Sequence, residues 1–326
     1  MSADGGTRAV VAALLANTGI ALTKFVAYAL ARNSSMLAEA IHSCADAGNQ
    51  LLLLLGGKRA KREATPEHPF GYGRERYIYS FLVSIVLFSV GGLFALYEAY
   101  HKYHEIHSGH FEEVGGWKSL VPVFVLLAAI TMESFSLRTA VMETNKVRGD
   151  ASFARFIRRA KSPELPVILL EDVAALLGLA FALVGVGMSL VTGNHYWDVA
   201  GTAAIGLLLV TVAIILAIET KSLLLGEAAA PEAQERIIAA LVGTPGIDRV
   251  IHIKTLHLGP EELLVAAKIA VTPTSSAADV ATAIDAAERA VRAVEPTASA
   301  MYLEPDIYRD DHVPAERPAP PEPAGH

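Results

Sequence analysis

Cysteine is almost absent from this 326-residue chain: Cys44 is the single one, which rules out a disulfide framework and a cysteine-built zinc site. Charge is sparse as well, at 19% of residues, and the formal net charge is -7. The basic residues are scattered through connecting segments and form no single patch, so nucleic acid is excluded as a partner. The long apolar blocks show no period-two alternation, which excludes a strand-built pore. The motif H-E-x-x-H of zinc hydrolases does not occur. At the N-terminus only Arg8 precedes an apolar stretch that is too long for a signal-peptide core and lacks a cleavage pattern, so it is expected to be a membrane span.

Apolar residues make up 52% of the chain and are gathered into blocks longer than the roughly 20 residues that cross a bilayer as a helix. Lipid offers backbone amides no water, so each block should be helical. The blocks predict spans at roughly 8–31, 36–56, 76–101, 116–145, 165–191 and 196–225. Lys58, Arg59, Lys61, Arg62, Arg74 and Arg76 fall between spans two and three, and Lys146, Arg148, Arg155, Arg158, Arg159 and Lys161 between spans four and five. The opposite connections hold only Arg32, Lys102 and Lys118. An even number of spans and this bias place both termini in the cytoplasm. Phe153, Phe156, Ile157 and Ala160 alternate with arginines at helical spacing, as in a short helix lying at the membrane surface.

After Gly226 the pattern changes. It predicts a helix at 231–242, strands at 248–257 and 262–272 joined by a Gly259-Pro260 turn, a helix at 277–294 and a strand at 298–304. The fold class expected is therefore an all-α membrane domain of six transmembrane helices (1–225) followed by a small cytoplasmic α/β domain (αββαβ, ferredoxin-like, 226–305). A domain that small often needs a partner, so a homodimer is expected. The proline-rich, charged stretch 306–326 reads as a disordered tail.

The second span carries Glu39, His42, Asp46 and Asn49, whose spacings place them along one helical stripe. An aspartate at mid-bilayer costs on the order of 2.5–3.5 kcal/mol, so this stripe must face protein or water. An imidazole and a carboxylate one turn apart can reach one cation, which is half of a tetrahedral zinc site. The blander reading is that His42 and Asp46 only bond neighbouring helices. Glu39 lies nearer the outer end and suits an entrance; Asn49 suits packing as well as ligation. The fifth span supplies Glu171 and Asp172, which diverge by about 100° on a helix, so one of them at most points squarely at an ion. His42, Asp46 and Asp172 would supply three ligands, with Glu171, Asn49 or water as the fourth.

The stretch Ser35-Met36-Leu37-Ala38-Glu39-Ala40-Ile41-His42-Ser43-Cys44-Ala45-Asp46-Ala47-Gly48-Asn49 resembles the second-helix signature of the cation diffusion facilitator family. His68-Pro69-Phe70-Gly71-Tyr72-Gly73-Arg74 resembles its next loop, and the likeness extends over residues 8–305. The resemblance implies a homodimer that exchanges cytoplasmic Zn²⁺, or Mn²⁺, Fe²⁺, Co²⁺ or Cd²⁺, for external protons, with no prosthetic group and no enzymatic activity. It implies His42 and Asp46 as ligands, with Asp172 as the matching aspartate. Many members have a His four residues before that aspartate, where this chain has Ile168; Glu171 is the nearest replacement. The Glu-Asp pair is similar to the branch that includes the mitochondrial member. Carboxylate for imidazole makes the site harder and favours Mn²⁺ or Fe²⁺ relative to other members, with zinc still first.

Other positions of the family pattern are weakened. His68 matches a ligand position, but Tyr72 stands where a second His is usual. Tyr302 replaces a His of the last strand, and His252 and His257, five apart on one strand, point to opposite faces. His101, His104, His107 and His110, spaced by three near the outer end of span three, drift around a helix and read as an exposed, partly helical loop. Two other classes compete: an intramembrane zinc hydrolase, and a metal sensor that does not transport. Abundant alanine and the lack of a transit segment point to a bacterial cytoplasmic membrane.

Overall fold

Helix dominates the computed structural model, which describes residues 3–31, 34–109 and 120–309. Of Glu39 and His42 it describes the backbone only, and His110 and residues 310–326 of the expected tail lie outside the described residues. The helices are α1 (Ala3–Ala31), α2 (Ser34–Ala60), α3 (Glu75–Val86), a π-helical stretch (Leu87–Leu93), α4 (Phe94–His107), α5 (Val121–Val147), α6 (Phe153–Arg159), α7 (Glu164–Thr192) and α8 (Tyr196–Leu225). Among the described residues five segments are long and apolar enough to cross a membrane: Ala9–Val26, Glu75–His107, Val121–Val147, Glu164–Thr192 and Tyr196–Leu225. The protein is integral to a membrane. The expected sixth span, α2, is 27 residues long but is not among the five. Asp46, Asn49 and Gln50, with the basic end Lys58-Arg59, dilute its apolar character.

Side chains recurring every three or four residues decide which faces turn inward. On α1 these are Ala9, Ala13, Asn17, Ile20 and Lys24; on α5 they are Leu126, Ala129, Glu133, Ser136 and Ala140. An apolar core fills one end of the bundle, built from Val10, Leu53, Val83, Ala140, Ile168 and Leu216. α6 closes onto this core through Phe156 and Ile157. Ser152 caps α6 by accepting the amide of Arg155, and Arg148 lies over the Phe153 ring at 4.6 Å. The amphipathic helix expected at 151–160 thus forms.

Glycine permits a close approach of α7 and α8. A Cβ on Gly201 would lie 2.9 Å from the carbonyl oxygen of Phe181, and one on Gly185 would lie 3.0 Å from that of Trp197. Both obstacles are backbone, so only a shift of a whole helix would relieve them. Gly201→Val should therefore destabilise the bundle by about 1–3 kcal/mol. Its thermal unfolding in detergent should shift downward, while Gly187→Ala, where nothing lies within 4 Å, should not shift.

The chain divides into two compact units, Met1–Glu227 with His257–Glu261, and Ala228–Leu256 with Glu262–His326. The second contains α9 (Pro231–Val242), β1 (Ile247–Gly259), β2 (Glu262–Val271), α10 (Ala277–Val294) and β3 (Ala298–Asp306), the αββαβ order. The strand order is β1-β2-β3, with β2 parallel to β3 and Val265 opposite Met301. Leu263, Val265, Ala267 and Ile269 alternate inward on β2 and meet Ile237 and Leu241 of α9 and Ala287 and Val291 of α10. Ser276 and Asp279 form a reciprocal capping box at the start of α10. Strand β3 runs two residues past its expected end, and Lys268 pairs with both Glu304 and Asp306 at 3.0 Å.

A buried polar tier as the candidate functional site

Next to the apolar core, four helices turn polar side chains toward one another. Glu171 of α7 accepts Asn49 Nδ2 at 2.9 Å and Gln50 Nε2 at 2.8 Å, so both its oxygens are held by α2. Asn17 of α1 donates to Gln50 Oε1 at 3.4 Å. Asp172 points elsewhere: Ser136 of α5 donates to its Oδ2 at 2.9 Å, and Glu133 of α5 shares a hydrogen bond with it. The two adjacent carboxylates of α7 therefore address different helices, as their angular separation requires. Asp46 is half-buried on α2 and interacts electrostatically with Glu133, Glu171 and Asp172.

Among the described residues, two buried oxygens of this tier, Asp172 Oδ1 and Asn49 Oδ1, meet no N–H or hydroxyl donor. Buried acceptors of this kind are costly unless something positive meets them. Against the tier lies a cavity of about 50 Å³. Asn17, Lys24, Ser43, Asp46 and Glu133 supply its polar wall, and Ala174, Gly178 and Leu209 are among its apolar lining. Lys24 Nζ donates to Ser43 Oγ at 2.9 Å. Among the described residues no group of three His, Cys, Asp or Glu is already gathered as a metal cage.

His42 lies on α2 one turn before Asp46, with its side chain outside the described residues. Ile168 is fully buried in the apolar core. His68 is exposed and packs against Tyr72 with ring centroids 4.7 Å apart, while Arg62 covers the Tyr72 ring at 4.3 Å. His252 is exposed and His257 buried. The histidines of α4 are helical through His107, further than the loop reading expects, and are interleaved with tyrosines. Tyr103 stacks on His107 at 5.8 Å and Tyr100 meets His104 edge-on at 4.4 Å.

Sequence reasoning passed over Asn17, Lys24, Gln50, Glu133 and Ser136. A signal existed for Glu133, a carboxylate well inside an apolar span, which on insertion energetics alone marks a functional position.

The cation efflux transmembrane domain, as a family, matches residues 10–225. The mitochondrial proton-coupled zinc antiporter SLC30A9 of Homo sapiens is 31% identical over 261 residues, which is 78% of this chain and 44% of that protein. Metal tolerance protein C4 of Arabidopsis thaliana is 27% identical over 270 residues, 80% of this chain and 56% of that one. The magnetosome protein MamM of Paramagnetospirillum magneticum is 24% identical over 255 residues, 76% of this chain and 72% of that one. The chain thus spans about half the length of the first two relatives.

Proposed function

The chain belongs to the cation diffusion facilitator family, and from that premise we propose that it exports a divalent metal cation, Zn²⁺ first, in exchange for protons. The observation that carries this reading is the polar tier buried between α1, α2, α5 and α7, with the oxygens Asp172 Oδ1 and Asn49 Oδ1 left without N–H or hydroxyl donors among the described residues. A cation supplies what those oxygens lack. The ligands are His42 and Asp46 from α2 and Asp172 from α7, with Asn49 or water as the fourth. Glu171, tied by Asn49 and Gln50, aligns α2 with α7 and enters the shell only when those amides release it. No role in holding metal is assigned to the exposed His68. Membership of a transporter family speaks against both the hydrolase and the sensor readings.

Zinc ranks first because imidazole and carboxylates suit it, and because the human relative is named a zinc antiporter. Ile168, packed in apolar surroundings, leaves a harder donor set than a two-histidine site, which keeps Mn²⁺ and Fe²⁺ as the next candidates. Proton coupling follows from competition, since protons and metal seek the same ligand atoms. A cavity bordering the tier suits a carrier that admits its ion from one side at a time. Along with the five apolar segments, α2 is the sixth span. Both termini lie in the cytoplasm, the α/β domain pairs in a homodimer, and composition favours a bacterial cytoplasmic membrane.

The test is uptake of several divalent ions into sealed vesicles containing the purified full-length chain. Zinc should move with opposing proton flux, and absence of any metal movement would reject the reading. Ion preference tests the replacement of the missing imidazole. Ile168→His should raise zinc flux relative to manganese flux by about threefold to tenfold, and Glu171→Gln should reduce transport of both ions. An unchanged ratio in Ile168→His together with full activity in Glu171→Gln would show that neither position influences the site.

A further inference from the structure

A lysine sits where a cation-binding site would least be expected to hold one. Lys24 is 4% exposed, on the inward face of α1, with its ammonium 2.9 Å from Ser43 Oγ, three residues before Asp46. It shares the cavity wall with Asp46 and Glu133 and interacts electrostatically with Glu133, itself 2% exposed. Snorkelling to the membrane surface, the usual fate of a lysine near a span's end, is excluded by this burial. Burying an ammonium is costly unless anionic groups surround it, and here the groups that do so are also the cargo's.

Resting on the transport reading above, we propose that Lys24 is a tethered counter-cation, a positioning residue that sets the affinity and release rate of the metal, and that Glu133 is its anchoring carboxylate in the same site. Asp46, Glu133, Glu171 and Asp172 crowd one low-dielectric region. With no cargo, the ammonium of Lys24 offsets part of their charge. When a divalent ion arrives, Lys24 stays on Ser43 beside Glu133 and continues to repel the ion. The site therefore holds its cargo less tightly than carboxylates alone would. Carriers need this compromise, because an ion bound too well does not leave.

The experiment compares zinc-concentration dependence of flux in vesicles for wild type, Lys24→Met and Lys24→Arg. Lys24→Met, uncharged and suited to an apolar setting, should lower both KM and maximal flux about tenfold, the mark of tight binding and slow release. Lys24→Arg, which keeps the charge, should move KM far less. An unchanged or raised KM in Lys24→Met, or equal shifts in both variants, overturns the proposal. If Lys24→Met fails to accumulate as folded protein, Glu133→Gln provides the reciprocal arm. Released from its anchor, Lys24 then competes at Asp46 and KM rises about tenfold; an unchanged KM again overturns the idea. Wild-type vesicles that move no metal would reject the transport reading itself. Wild-type flux that Asp46→Ala abolishes and Lys24→Met leaves unaltered would reject only this inference.

Discussion

Vesicles carrying Asp172→Ala are expected to lose metal-driven proton flux by at least about a hundredfold, and Asp46→Ala vesicles to match them. Each substitution removes a ligand carboxylate, and the neighbouring Glu171 is already engaged by Asn49 and Gln50. Ser136 would lose its acceptor at Asp172 Oδ2 and Glu133 its hydrogen-bond partner, so the α5 side of the tier would also lose its order. Asp172→Asn separates the two contributions. It keeps the shape and an acceptor for Ser136 but not the charge, so it should fold normally and still fail to transport. Stopped-flow measurement of vesicle pH on zinc addition gives the answer. Full flux in Asp172→Asn would remove Asp172 from the ligand set.

The second large effect is on stability. Arg76 Nε and Glu164 Oε1 lie 2.8 Å apart at the start of α3 and α7, with side chains 11% and 9% exposed. Removing Glu164 leaves the nearly buried Arg76 with only the half-exposed Glu261, 4.0 Å away, so Glu164→Ala should cost about 3 kcal/mol. Thermal unfolding of the detergent-solubilised protein would read this as a large fall in Tm. Replacing both members, Arg76→Met with Glu164→Leu, should recover most of the loss because no orphaned charge remains. A double variant as unstable as the single one would show that the pair contributes direct binding energy and not mutual compensation.

Much of the architecture is legible from pattern alone. Apolar blocks of membrane-spanning length mark the long helices, and strict alternation from Leu263 to Ile269 marks the central strand. The polar stripe of α2 is legible too, because four polar side chains on one helical face demand an explanation. That stripe also makes α2 the least apolar of the long helices, so the feature that points to function weakens the evidence that α2 spans the membrane. Lys24 and Glu133 were harder to read. Lys24 is the one charged residue of the apolar stretch Ala9–Val26, and a lysine late in a span is ordinarily an interfacial anchor. What joins Lys24 and Glu133 to one site is how α1 and α5 pack against α2 and α7, and no local pattern reports that joining. Likewise, spacing alone establishes that Glu171 and Asp172 diverge. Which of them meets amides and which meets Ser136 depends on the neighbouring helices.

The segment Glu75–His107 also works as a depth gauge. Its 33 residues would extend about 50 Å as an α-helix, against about 30 Å of hydrocarbon. Counted from the charged Arg74–Arg76 end, the oily layer is used up near Phe94, just past the π-helical stretch. Tyr97, Tyr100 and Tyr103 then fall at headgroup level, the depth that amphipathic rings prefer, and His101, His104 and His107 lie in the wet border beyond the lipid tails. All three histidines are exposed, as that depth requires.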